Sequence, residues 1–360
     1  MGTCAFIPEL ITFPLTIGFS EGAPAYLAIK VIMVGSMSAM AIYGAYRVAI
    51  LRQDVREARK LGQYVLRREL GSGGMGEVYL AEHQFLRRSC AVKLIRPEQA
   101  GNEETLARFE REVRAAARLT HANTVQIYDY GRAEDGTFYY AMEYLPGLAL
   151  QELVDAHGPL PPARAVRVLT QLCGALREAH AIGFVHRDIK PGNVMLCERG
   201  GVHDVAKLLD YGLVRAVQSS DEDTKITQMG MIVGTPAFMS PEQCAGDVEV
   251  TASSDIYSLG AVGYFLLTGN APFGGRSAMQ MLAAHLYEKP QRLNERRADV
   301  PSALSDVIER CLEKAPEQRF LDMETLERAL VGSVPMDSWT DSDARDWWRG
   351  RTVVAASAPA

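Results

Sequence analysis

Along the chain the spacing of apolar and polar positions changes in steps, and each step predicts a different kind of structure. From Ala25 to Tyr46 the stretch AYLAIKVIMVGSMSAMAIYGAY carries one charge, Lys30, and RVAILRQDVREARK follows it. That is the pattern of a membrane-spanning helix. Its uncharged core, Val31 to Tyr46, would rise about 24 Å as a helix, short of the ~30 Å hydrocarbon layer. Adding the preceding turn, with Lys30 snorkelling outward, gives roughly 22 residues, enough to span. Arg47, Arg52, Arg56, Arg59 and Lys60 crowd the C-terminal flank, so the part that follows should face the cytoplasm from the inner cell membrane.

An earlier apolar run, Cys4 to Phe19, holds Glu9, Pro8 and Pro14 and is short for a span. It reads as interfacial or as a second, broken span. From Tyr64 the texture turns to short β-branched and aromatic runs punctuated by glycine: YVLRREL, GEVYLAEH and RSCAVKLI. A long amphipathic stretch, EETLARFEREVRAAARL, comes next. These predict strands, one helix, and then a hairpin around Asp135 and Gly136. After Pro146 helical patterns dominate to about Val331, so a small β-rich lobe should precede a larger helical one. The layout is an apolar segment at 1–24, a transmembrane helix within 25–50, a basic linker at 51–63, a folded domain at 64–331 and a tail at 332–360. The tail has apolar content but no evident partner element.

Composition narrows the function. The chain has 360 residues, 48% hydrophobic and 23% charged, with net charge −6. Such a balance describes a globular protein and argues against a nucleic-acid partner, which calls for clustered basic faces. The cysteines, Cys4, Cys90, Cys173, Cys197, Cys244 and Cys311, lie far apart without a CxxC pair. Neither a zinc site nor a disulfide framework is indicated.

Candidate chemistry sits in pieces along 64–331. LGSGGMGEV, Leu70 to Val78, contains Gly71, Gly73 and Gly76. A dinucleotide-binding fold would need a helix after these glycines, but GEVYLAEH alternates as a strand. The loop should therefore join two strands and fold over phosphates as a flap. In CAVKLI, Lys93 interrupts an apolar strand and needs an anionic partner; Glu112 on the amphipathic stretch is the candidate, and the pair would aim the ammonium at phosphates. FVHRDIKPGNVM supplies Asp188 to orient a hydroxyl and accept its proton, Lys190 to neutralise developing charge, and Asn193 as a metal ligand. KLLDYGLVRA sets Asp210 after an apolar strand, a second metal carboxylate.

These pieces, in this order, resemble the eukaryotic-like (Hanks-type) bacterial Ser/Thr protein kinase family over about Tyr64 to Val331. The resemblance implies an α+β, bilobal protein-kinase fold using ATP with Mg²⁺, or Mn²⁺ in its stead. Leu70, Gly71, Ser72, Gly73, Gly74, Met75, Gly76, Glu77 and Val78 correspond to the phosphate-covering loop. Lys93 and Glu112 look like the ATP-positioning pair, Asp188 like the catalytic base with Lys190 beside it, and Asn193 and Asp210 like the metal ligands. Val78, Ala91 and Met195 would sandwich adenine, Met142 would be the gatekeeper, and Glu143 to Leu145 the hinge. Gly234 to Glu242 resembles the substrate-receiving segment, Asp255 the anchor of the core helix, and Arg319 the partner of Glu242.

Tyr211 stands where the family usually has Phe, and Ser240 where it usually has Ala; neither change removes a catalytic group. The implied partners are proteins phosphorylated on Ser or Thr, the lipid bilayer through the N-terminal helix, and a second copy for trans-autophosphorylation. Arg187 lacks a role in the chemistry, and Thr227 and Thr224 are expected to supply its anion once phosphorylated. A pseudokinase scaffold is the alternative, but it has no physical need for Lys93, Glu112, Asp188, Asn193 and Asp210 together.

Overall fold

A computed structural model describes residues 32, 33, 35–38, 40, 43, 60–73, 76–95, 103–133, 136–211, 236–246 and 250–350. They fall in two compact units, Met1–Arg67 and Arg68–Ala360. In the first, the described residues between 32 and 43 are helical, with Ile32, Met33, Met37, Met40 and Tyr43 exposed. Most of the expected span, and all of the apolar run at Cys4 to Phe19, lie outside the described residues. Among those described, no helix is long and apolar enough to cross a membrane. Strand β1 (Lys60–Leu61) pairs antiparallel with the start of β2 (Tyr64–Gly73).

In the second unit β2 continues into an antiparallel sheet with β3 (Gly76–His83), β4 (Ser89–Ile95), β5 (Ile127–Arg132) and β6 (Phe138–Glu143), ordered β2-β3-β4-β6-β5. The glycine-rich stretch thus joins two strands, as its alternation requires. The β5–β6 hairpin turns at Gly136, which has φ 85°, and closes with Ala133 N donating to Thr137 O at 2.8 Å. Helix α1 (Glu103–Ala116) lays Phe109 and Val113 against Ile95, Phe138 and Tyr140, with the Phe109 and Phe138 rings edge to face at 4.9 Å. Phe109 and Val113 are four apart, one turn of helix, so they share a face.

Beyond Pro146 the α-helices among the described residues are α2 (Leu150–His157), α3 (Pro162–Ala181), α4 (Pro241–Ala245), α5 (Ala252–Thr268), α6 (Ala278–Tyr287), α7 (Leu293–Arg296), α8 (Ser302–Cys311), α9 (Met323–Val331) and α10 (Asp341–Arg349). Helix α5 is apolar around most of its circumference and is buried from Ser254 to Leu267, as a central helix must be. Helix α3 packs against α5 and α9.

Two features depart from the sequence reading. The helical lobe carries a second sheet, β7 (Gly147–Ala149), β8 (Val194–Arg199) and β9 (Val202–Leu208). Strand β9, VHDVAKL, is the apolar strand expected before Asp210; its sheet partners β7 and β8 were not expected, and its Asp204 and Lys207 are buried as ion pairs rather than solvated. The tail, in turn, does have a partner: α10 packs on β9.

Candidate functional site

Strand register brings the first residues together. Lys93 on β4 lies opposite Tyr140 on β6, and both side chains reach Asp210, seated just after β9. Lys93 Nζ donates to Asp210 Oδ2 at 2.6 Å and Tyr140 OH to Oδ1 at 2.7 Å. Asp210 adopts φ 51°, the left-handed region that a non-glycine residue enters only when its surroundings hold it there. Burial pushes its carboxyl pKa up, but Lys93, Tyr140 and the nearby His186 outweigh that and hold it below the usual range. Tyr140, fully enclosed beside this anion, has its phenol pKa raised well above the ordinary value.

The expected ion pair between Lys93 and Glu112 is therefore not the one found. Asp210, turned by its backbone and held by Tyr140, takes the ammonium. Glu112 sits half-buried on α1, between Arg111 and the core residue Val113. Sequence reasoning missed Tyr140, because a tyrosine in an apolar strand reads as core; only its register with Lys93 discloses the second donor to Asp210.

The loop between α3 and β8 gathers Asp188, Lys190 and Asn193. Asp188 Oδ2 accepts from Lys190 Nζ and from Asn193 Nδ2, each at 2.8 Å, and Asn193 Nδ2 is also 2.8 Å from Asp188 O. Buried Asp255 on α5 shapes this loop from beneath. Its carboxylate accepts from His186 N (2.8 Å) and Arg187 N (2.9 Å) and meets His180 Nε2 at 2.8 Å. Those bonds hold Arg187 at φ 66°, another left-handed non-glycine residue. His186, fully buried, meets Leu209 O through Nε2 at 2.9 Å, and its ring packs 4.7 Å from that of Tyr211. The Tyr211 hydroxyl, where a phenylalanine was usual, lies 3.0 Å from Thr124 Oγ1.

The residues assigned to adenine share one apolar cluster: Ala91, Met142 and Leu145 are buried in it, and Val78 and Met195 pack against it. Ala91 pairs with Leu80 on one side and Met142 on the other. Glu143 N donates to Gln126 O at 2.9 Å, so its amide is committed within the protein. Its buried carboxylate takes Lys207 Nζ at 2.5 Å, Gln126 N at 3.0 Å and Arg199.

In the glycine loop, Gly76 has φ 134°, and a Cβ there would come 1.9 Å from Leu94 O, so only glycine lets β3 approach β4 so closely. Leu70, Gly71 and Ser72 are exposed, and Glu77 accepts from the Tyr79 hydroxyl at 2.8 Å. Gly74 and Met75 lie outside the described residues.

Glu242 and Arg319 form the expected pair, bidentate at 2.8 and 2.9 Å. Burial raises the Glu242 pKa, but Arg319 and Ser254 hold it below the usual range. Ser240 is not a neutral replacement: its Oγ accepts from Gln243 N at 3.4 Å and its own amide donates to Gln243 Oε1 at 3.0 Å, a capping box for α4. Gln243 Nε2 then donates to Arg187 O at 2.8 Å, tying this helix to the Asp188 loop. Residues 212–235, with Thr224, Thr227, Gly234 and Thr235, lie outside the described residues.

The chain can be compared with known proteins on this geometry. The family model for the protein kinase domain matches residues 64–331. The chain belongs to the protein kinase family. Three of its relatives are bacterial proteins. It is 38% identical over 263 residues to serine/threonine-protein kinase pkn3 of Myxococcus xanthus, covering 72% of this chain and 48% of that one. It is 37% identical to PknB of Mycolicibacterium smegmatis, over 83% of this chain and 47% of the relative. PrkC of Bacillus subtilis shares 38%, over 77% and 41%. The chain thus spans less than half the length of these relatives. Among solved structures, the Mycobacterium tuberculosis PknI kinase domain superposes with a TM-score of 0.59 at 27% identity, covering 76% of this chain and 97% of that one. The kinase domain's match ends at Val331, leaving α10 beyond it.

The donor set fits the cofactor that the family uses. Among the described residues no group of three or more His, Cys, Asp or Glu is arranged to hold a metal. Asn193 and Asp210 offer the one or two oxygen ligands with which a protein binds Mg²⁺ when phosphates and waters complete the shell.

Proposed function

We propose that this kinase is an ATP-dependent protein serine/threonine kinase, anchored by its N-terminal segment with the kinase domain on the cytoplasmic side. The observation that carries the activity is the cluster in which Asp188 Oδ2 lies 2.8 Å from both Lys190 Nζ and Asn193 Nδ2. Asp188 would accept the proton of an incoming Ser or Thr hydroxyl, contributing typically 10²–10⁴-fold. Lys190 would move from Asp188 to the phosphoryl oxygens as negative charge grows there. Asn193 and Asp210 would hold Mg²⁺, which supplies charge neutralisation on the phosphates. Val78, Ala91, Met142, Leu145 and Met195 suit a flat, apolar base, and Lys93 has an ammonium that can turn from Asp210 to phosphate. Incubating the purified chain with labelled ATP and a generic protein substrate tests this: Asp188→Asn should abolish transfer yet retain nucleotide binding. Undiminished transfer by that variant would refute the assignment.

Support for the anchor is the apolar run from Ala25 to Tyr46 with its basic flank, together with the exposed Ile32, Met33, Met37, Met40 and Tyr43. The chain should sediment with membranes, and recovery in the high-speed supernatant without detergent would exclude a span. Between Asp210 and Glu242 the sequence VQSSDEDTKITQ is polar and rich in hydroxyls that a kinase could modify. Arg187 is exposed, and no described carboxylate pairs with its guanidinium. Phosphorylation of Thr227 or Thr224, within one chain or between two, would give it an anion.

A further inference from the structure

All three tryptophans of the chain, Trp339, Trp347 and Trp348, lie in the segment after the kinase-domain match. They converge on one carboxylate. Asp204 on β9 is 1% exposed, and its oxygens accept from Trp339 Nε1 (2.9 Å), Trp348 Nε1 (2.7 Å), Arg164 Nε (2.9 Å) and Arg164 Nη2 (2.8 Å). The Arg164 guanidinium is sandwiched in turn, its carbon 3.9 Å from the Trp347 ring centre and 4.9 Å from that of Trp339. Arg167 on α3 pairs with Asp341 at the start of α10, and the His157 ring meets Trp347 edge-on at 5.2 Å. An ordinary linker would not set half-buried indoles around an ion pair in this way.

The socket has a second peculiarity. Asp204 adopts φ 57° at an irregularity in the β8–β9 ladder, where the register shifts between Cys197 and Arg199. Bulges re-aim a strand, and a left-handed Asp persists where neighbours fix it. Those neighbours are Arg164 and the indoles on its side chain, and Gln171 Nε2, which donates to Asp204 O at 2.9 Å. The strand so fixed leads to the site. Asn193 immediately precedes β8 and Asp210 lies two residues beyond β9, so both candidate metal ligands hang on one end of the hairpin whose irregular end the tail grips.

We propose that Trp339–Arg349 is a strap belonging to the catalytic unit, and that Trp339 and Trp348 are positioning residues which, through Asp204, hold the β8–β9 hairpin so that Asn193 and Asp210 converge. The inference rests on the metal-ligand reading of those two residues. Because no tryptophan occurs elsewhere, intrinsic indole fluorescence reports the strap alone. In the purified full chain the indoles should resist acrylamide quenching, and in Trp339→Phe/Trp348→Phe the remaining Trp347 should become accessible. Calorimetric titration of ATP at a series of Mg²⁺ concentrations should show that this variant needs at least threefold more Mg²⁺ for half-maximal binding, with metal-free ATP affinity unchanged. If the double variant fails to fold, Trp348→Phe, which removes one N–H donor and keeps an aromatic ring at that position, carries the same test. A lowered unfolding midpoint with an unchanged Mg²⁺ requirement would reduce the strap to a brace and overturn its role in positioning, as would wild-type indoles quenched like free indole. Asp210→Asn run alongside separates the two assignments: should it also leave the Mg²⁺ requirement unchanged, the metal reading itself fails and takes the positioning role with it.

Discussion

Two buried ion pairs of this kinase have opposite characters. Arg319 is saturated: besides both oxygens of Glu242 it donates to Ser253 O, Glu313 O and Lys314 O at 2.8–2.9 Å, and its side chain is fully enclosed. Among the described residues the Lys93 ammonium makes one hydrogen bond, to Asp210, and both partners keep some exposure, 9% and 19% of the side chain. The planar guanidinium has a fixed fork for every acceptor around it, whereas an ammonium is a point charge that can change partner. The first pair is suited to hold α4 and α5 together permanently, and the second to exchange its anion for phosphate. Burial alone does not distinguish a brace from a working charge; the number of donors left uncommitted does.

Breaking the saturated pair should have the largest effect. Arg319→Met leaves Glu242 buried without its cation and should cost ~3–5 kcal/mol of unfolding free energy, read in a denaturant titration. A loss under about 1 kcal/mol would mean that Glu242 finds water or another donor. Breaking the exchangeable pair should act on rate instead. Lys93→Met is expected to lower phosphoryl transfer by about 10²-fold or more, with a smaller shift in unfolding midpoint than Arg319→Met. Equal shifts in stability from the two variants would erase the distinction.

Tyr140→Phe sharpens the picture by removing a donor to Asp210 while leaving the ring in place. Losing a hydrogen bond to a charged group should cost roughly 1.5 kcal/mol and raise the Asp210 pKa, so the acid limb of nucleotide binding should move to higher pH. An unmoved acid limb would show that Lys93 alone holds the carboxylate.

The smallest effect concerns acid stability. Asp210 and Glu242 both have folded pKa values below their ordinary ones. Each contributes stability that is present above the unfolded carboxylate value, ~4, and is lost as pH falls through the lower folded value. Arg319→Met deletes the Glu242 share, so its unfolding free energy should fall less steeply below about pH 5 than that of the wild type. Parallel slopes would assign the acid sensitivity elsewhere.

The sequence by itself determined the parts in which chemistry is contiguous. Asp188, Lys190 and Asn193 fall within six positions on one loop, so their contact follows from local chain geometry, and strand alternation around Gly71–Gly76 was enough to reject a helix-capped phosphate site. Glu242 and Arg319 came from the resemblance rather than from pattern. Tertiary structure decided what depends on distant segments meeting. Lys93 took Asp210 rather than Glu112 because strand register brought Tyr140 opposite Lys93 and a left-handed backbone turned the Asp210 carboxylate toward both. The strand before Asp210 was legible, but its union with the tail was not: the tryptophans read as loose apolar content until folding set them and Asp204 against Arg164. Polarity along a chain reports where a residue would sit if it faced water, and a buried charge that finds its partners from 40 and 135 positions away carries no local sign of them.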